Sequence, residues 1–236
     1  ASGVPSPEQA PTPEAKHLAE QAELQADRNR AYDAKNRELH RSVVLRLTEQ
    51  IQNCILVHQQ PNARIARSGN LDPERVWRAP LLDDSRVFRC AEEENQPSFT
   101  VDLLLDASAS RLHCQEVIAA QGAILAESLS RCRIPVRVSS FCSLRGYTVL
   151  RVLKHFKDKQ WQGVNQYFAS GWNRDGLALR AAGDLLDFDP GPAPRHLLIL
   201  LTDASPNDSR RIPPSPENPL GRDYGGPYGV DDTAAE

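Results

Sequence analysis

Asp106, Ser108 and Ser110 stand at alternate positions directly after the apolar run 99–105. Alternate residues of an extended segment point the same way, so one carboxylate and two hydroxyls can converge on a single ion. A second apolar run, 195–201, ends in Thr202 and Asp203. Ligands of an open parallel sheet bind beyond the carboxyl ends of its strands. If the two runs are neighbouring strands, both aspartates reach the same edge. Their donors are hard oxygens, which suit Mg²⁺ or Mn²⁺ with some waters retained. Taken singly, Ser108 and Ser110 are ordinary helix N-caps and Asp106 is an ordinary helix-dipole partner. That reading does not explain their joint placement at two strand ends.

The elements that must hold these groups follow from pattern. The two near-continuous apolar runs read as central parallel strands buried on both faces. Between them the pattern predicts a helix over 111–131 carrying Val117, Ile118, Ile124, Leu125 and Leu129, then strands at 135–141 and 147–153 joined as a hairpin. A helix over 175–186 precedes the last strand. Strand–helix–strand alternation predicts an α/β fold: a Rossmann-like, doubly wound, mostly parallel sheet over 99–236.

Ahead of it, residues 1–15 hold four prolines and read as a flexible linker. Residues 16–98 read as a helical extension with a short hairpin. Neither Pro nor Gly occurs from Ala15 to His58, and Leu39, Val43, Leu47, Ile51, Cys54, Ile55 and His58 form one stripe of a single long helix. Its more polar first half is expected to project into solvent. Short strands are expected at 63–66 and 86–90, with a helix opened by Asp72 and Pro73 between them. Glu92, Glu93 and Glu94 read as a solvated turn. Residues 204–230 hold six prolines and four glycines, a long loop of functional type, with a helix starting near Asp231.

Composition removes several classes. The net charge is −3, without the basic excess expected of nucleic-acid or polybasic membrane binding. No apolar run approaches the roughly 20 residues that span a bilayer. Five cysteines without a Cys-x-x-Cys pair point to reduced thiols in a cytoplasm rather than a disulfide framework or zinc site. Gly171 and Gly176 have P-loop spacing, but Leu177-Ala178 follows where Lys-Ser/Thr is required. His113-Cys114 read as adjacent helix positions pointing apart.

The segments VDLLLDASAS and LLILLTDASPND resemble the von Willebrand factor A (VWA) domain and its metal-ion-dependent adhesion site. The resemblance implies Asp106, Ser108, Ser110 and Asp203 as metal ligands. Where the family has a middle-loop Thr-x-x-Gly, this chain has Asn173-Arg-Asp175-Gly176, leaving Asn173 and Asp175 as rival ligands. Asp175 can equally be the N-cap of the helix that follows. Within the family the loop resembles the C-terminal domain of the cobaltochelatase CobT-type subunit and the nitric-oxide-reductase activation proteins. Those are cytoplasmic partners of chelatase- or MoxR-type AAA+ ATPases. The resemblance also implies a further helix and strands beyond Glu236.

The expectation is therefore a Mg²⁺- or Mn²⁺-dependent binding module that accepts a partner's carboxylate on the metal. Arg174, Arg210, Arg211 and the long loop would form its rim. No general base or nucleophile is evident, so the chain is not expected to be catalytic by itself. The alternatives are a Mg²⁺-dependent phosphohydrolase on a Rossmann-like sheet and a structural domain with an inactive metal site. The first usually needs an acid or base two positions after the leading Asp, where this chain has Ser108.

Overall fold

The apolar run at 99–105 becomes the centre of a four-stranded sheet in the computed structural model. Residues 12–58, 62–82, 85–92, 99–144, 146–209, 211, 212, 214, 220, 221 and 223–235 are described. In chain order the helices are α1 (Pro13–Lys35), α2 (Arg37–His58), α3 (Arg78–Leu82), α4 (Gln115–Arg131), α5 (Asp175–Phe188) and α6 (Gly226–Ala235). The strands are β1 (Asn62–Ala66), β2 (Asn70–Leu71), β3 (Phe88–Glu92), β4 (Phe99–Asp106), β5 (Val136–Leu144), β6 (Tyr147–Lys154) and β7 (Arg195–Leu201). Residues 1–48 with 98–236 form one compact unit and residues 49–97 another.

The larger unit is α/β. Its sheet has the order β6-β5-β4-β7. Strand β4 runs parallel to β5 and to β7, and β6 returns antiparallel to β5. The sheet is thus mixed and open, compatible with a Rossmann-like fold. Period-2 alternation along β4 sends neighbouring leucines to opposite layers. Leu104 packs with Phe141, Ala178 and Ala182 under α5, joined by Leu150, Leu179, Leu198 and Leu200. Leu105 meets α4: a Cβ on Gly122 would stand 3.1 Å from its side chain. Helices therefore cover both faces, which is what a central apolar strand requires.

Helix α4 starts later than expected, after a 3-10 turn at Ala109–Arg111. Its buried face is built from small residues, among them Ala119, Ala120, Gly122, Ala123 and Ala126, while Val117 is exposed. Small side chains let neighbouring backbones approach closely, and the apolar count alone does not signal that.

The single long helix expected over 15–58 is two helices. Asn36 ends α1, its backbone N–H donating to Tyr32 O at 3.1 Å and its Nδ2 to the same oxygen at 2.9 Å. Nor does α1 project into solvent: Gln25, Ala26 and Asn29 are buried. Asn29 Nδ2 donates to Asn165 O at 2.8 Å and Tyr167 O at 2.9 Å. Gln25 Nε2 donates to Asn29 Oδ1 at 2.9 Å and to Glu116 Oε1 at 3.0 Å. A polar stretch is buried here because its amide groups find partners, which satisfies the usual condition for burying polar groups. On α2 the expected stripe also shifts: Val44 is buried, whereas Leu39, Val43 and Cys54 are exposed.

In the smaller unit β1 and β2 both pair antiparallel with β3. Asp72 is buried and accepts the Glu74 N–H at 3.1 Å, capping a turn rather than opening a helix; α3 begins only at Arg78. The acidic turn at Glu93 and Glu94 and most of the 1–15 linker lie outside the described residues. Near the C-terminus α6 starts at Gly226, five residues before the position expected for a helix.

One buried ion pair ties β4 to β5. Asp102 and Arg137 are register partners, and Arg137 Nε donates to Asp102 Oδ1 at 2.5 Å. Arg137 also donates to Asp189 O at 3.2 Å and lies 4.7 Å over the Phe156 ring. Burial pushes the Asp102 carboxyl above its ordinary value despite Arg137. Arg137→Ala is expected to cost about 3–5 kcal/mol at neutral pH, because an uncompensated buried carboxylate remains. A carboxyl with a raised folded-state pKa stabilises the fold at low pH and loses that contribution as pH rises through the folded value. Urea unfolding should therefore show a smaller loss for Arg137→Ala at pH 5 than at pH 8.

Candidate metal centre

Parallel register delivers the two aspartates together. Leu105 pairs with Leu201, so Asp106 and the Thr202–Asp203 pair leave the sheet side by side. Asp106 is buried and its Oδ1 accepts the Ser108 N–H at 2.9 Å, turning the chain at the strand end. Ser108 Oγ and Ser110 Oγ are 2.8 Å apart, and Ser110 Oγ donates to Asp203 Oδ2 at 3.3 Å. Asp203 Oδ1 accepts the Ser205 N–H at 3.1 Å. Asp106, Ser108, Ser110 and Asp203 thus form one continuous polar cluster at the carboxyl edge.

The middle loop separates the two rival residues. Asp175 is the first residue of α5, with Arg174 and not Asp175 at the N-cap. Its Oδ2 accepts Thr202 Oγ1 at 3.1 Å, and the same hydroxyl lies 3.5 Å from Asp106 Oδ2. Asp175 therefore joins the cluster through Thr202. Asn173 faces the other way: its Oδ1 accepts the Asn207 N–H at 3.3 Å, and its Nδ2 donates to Asp175 Oδ1 at 3.3 Å. Asn173 and Asn207 also exchange backbone bonds of 3.1 and 2.8 Å. Asn173 braces Asp175 against the 203–208 segment.

The frame around the loops is tight. Tyr167, fully buried, donates its hydroxyl to Asp106 O at 2.5 Å. Ser170 N–H donates to Ala107 O at 2.7 Å, and Ala109 N–H to Gly171 O at 2.9 Å. Gly171 has φ +71°, and a Cβ there would lie 2.5 Å from Ser143 O. Only glycine fits that turn. Behind α5, a Cβ on Gly176 would lie 2.7 Å from Asp232 Oδ2, so α6 packs directly against the helix start that carries Asp175.

Three residues of the cluster escape a motif reading. Thr202 is visible in the sequence as the hydroxyl before Asp203, yet its role as a bridge between two carboxylates needs the fold. Tyr167, beside Phe168, belongs to no motif in the sequence. Arg111 reads there only as the start of a helix. Its guanidinium lies against both leading carboxylates: Nε is 3.5 Å from Asp106 Oδ2, and a terminal nitrogen contacts Asp203 Oδ2. One guanidinium spans both groups.

Two of the arginines expected at the rim form local ion pairs. Arg174 pairs with Asp208 and lies 4.8 Å over the Tyr224 ring, and Arg211 pairs with Asp223 at 2.8 Å. Both arginines face local carboxylates, and the Arg211–Asp223 pair is exposed. Arg210 lies outside the described residues. Trp172 is half-exposed beside the loop.

As a metal centre the donor set is oxygen throughout. Among the described residues no three His, Cys, Asp or Glu side chains form a metal-holding group by themselves. The serine and threonine hydroxyls would have to complete the set. The cluster fits a hard divalent ion in donor type, and a cationic group already lies between Asp106 and Asp203. Burial is the main cause that raises the Asp106 and Asp175 carboxyls, and neighbouring carboxylates raise both further. Both groups thus stabilise the metal-free fold only when protonated, and that contribution is lost as pH rises through their folded values. Asp106→Asn should raise the melting temperature in EDTA at pH 8, by about 2–4 °C for each kcal/mol relieved. The gain should shrink at pH 5, and thermal melts at the two values check both statements.

No family model matches this chain, and neither does any curated protein or solved structure.

Proposed function

We propose that this chain is a metal-dependent protein-binding module of the VWA type. Mg²⁺ or Mn²⁺ would be held by Asp106, Ser108, Ser110 and Asp203, with Asp175 and Thr202 beside them. The observation that carries the reading is the joint position of Asp106 and Asp203 at the ends of two parallel strands, linked through Ser108 and Ser110. The bound ion supplies a Lewis-acidic position for an anionic oxygen. Asp106 and Asp203 set two negative charges against the two positive charges of the ion, so a partner's carboxylate meets no surplus negative charge from these two ligands. The residue two positions after Asp106 is Ser108, engaged with Ser110, and no carboxyl stands there as a general acid or base. That favours binding over phosphoryl hydrolysis. The motif resemblance extends the reading to a biological role as an accessory subunit beside a chelatase- or MoxR-type AAA+ ATPase, in cobalt chelation or metalloenzyme activation. The same resemblance supports a cytoplasmic location. No helix among the described residues is long and apolar enough to cross a membrane.

Two measurements test the reading. Mg²⁺ should raise the melting temperature of the wild type and leave Asp106→Ala unmoved. Co-purification with an AAA+ ATPase of that type should persist in Mg²⁺ and fail in EDTA or with Asp203→Ala. Association that survives both treatments would show that the metal is not the recognition element.

A further inference from the structure

We propose that Arg111 is a tethered competitor of the metal: its guanidinium holds the place between Asp106 and Asp203 in the metal-free protein, and a divalent ion loads only by displacing it. The inference rests on the metal reading above and adds to it the device that sets when the site fills.

The geometry begins in the backbone. Arg111 closes the 3-10 turn, with its N–H donating to Ser108 O at 3.0 Å and its carbonyl accepting the Cys114 N–H at 3.0 Å. The main chain is therefore fixed, and displacement needs only the side chain to move. That side chain is 20% exposed, which leaves it a route to solvent. Its contacts are the oxygens an ion would take: Asp106 Oδ2 and Asp203 Oδ2 both face the guanidinium. A dication and a guanidinium on the same two oxygens repel each other strongly in a partly buried setting.

The hold is also incomplete. Arg111 Nε is buried without a hydrogen-bond partner, so the 3.5 Å approach to Asp106 is charge attraction without a formed bond. A guanidinium so placed grips Asp203 through a terminal nitrogen and holds Asp106 by charge attraction alone. A monovalent ion gains too little to evict it, whereas a dication exchanges one charge for two. Because the competent state is the one with Arg111 withdrawn, apparent metal affinity is the intrinsic affinity scaled down by the fraction of molecules in that state.

The test is calorimetric titration of the whole chain with Mg²⁺ and with Mn²⁺, comparing wild type, Arg111→Gln and Arg111→Lys. Arg111→Gln should tighten binding by on the order of ten- to a hundredfold. Arg111→Lys keeps the charge but loses the fork, so it should tighten binding less, and it serves if Arg111→Gln fails to fold. Guanidinium chloride at roughly tens of millimolar, near the effective concentration of a short tether, should weaken Mg²⁺ binding to the variants more than equal NaCl does. Equal affinity in all the proteins overturns the proposal and leaves the metal reading standing. Tightening that guanidinium reverses no better than sodium overturns displacement in favour of simple repulsion. Absence of Mg²⁺ and Mn²⁺ binding in every protein overturns the metal reading and this proposal with it.

Discussion

The parallel pairing of β4 with β7, Leu105 beside Leu201, governs the site more than any single polar contact. A slip of one residue would turn Leu104 and Leu105 to the wrong layers, because side chains on a strand alternate faces. It would equally carry Asp106 away from Thr202 and Asp203. The hydrophobic layers under α5 and α4 therefore fix the register, and the register fixes the carboxylate cluster. Core packing and site geometry are one constraint here.

The cluster works against the stability of the fold that holds it. Asp106 and Asp175 are buried, and burial raises both carboxyls. Such perturbation in a group of polar residues at a strand edge is typical of working sites. The surrounding frame offsets it with fixed contacts: Tyr167 on the Asp106 carbonyl, Asn173 on Asp175, and the Gly171 turn against Ser143. Arg111 contributes from inside the cluster.

The alternating Asp106, Ser108 and Ser110, the apolar runs and the β5–β6 hairpin are legible in the sequence because period-2 patterns are local. The start of α5 is legible too, though Arg174 takes the cap that Asp175 suits by residue type. What escapes is long-range or shape-dependent. Gln25 and Asn29 are buried because their side-chain amides donate hydrogen bonds to partners as distant as Glu116 and Tyr167, so a polar stretch conceals a packed helix. Val44 rather than Val43 is buried, because that face of α2 meets Ser128 of α4, whose hydroxyl lies 3.5 Å from the Val44 carbonyl. Arg111 reveals its role only once Asp203, far along the chain, lies beside it. The partners of the two rival residues are likewise long-range: Asp175 meets Thr202 and Asn173 meets Asn207, neither of which the local motif contains.

The contact between Gly176 and Asp232 gives the last described helix a mechanical bearing on the carboxylates. Tyr224 donates its hydroxyl to Asp232 Oδ2 at 2.8 Å, and Arg174 lies over the Tyr224 ring while pairing with Asp208. Arg174 and Gly176 flank Asp175, so this linkage grips the residue from both sides. A load applied to 224–235 would be transmitted to the α5 terminus as a shift in where one carboxylate stands. Residues 224–235 thus bear on Asp175 through the close approach of Asp232 to a glycine.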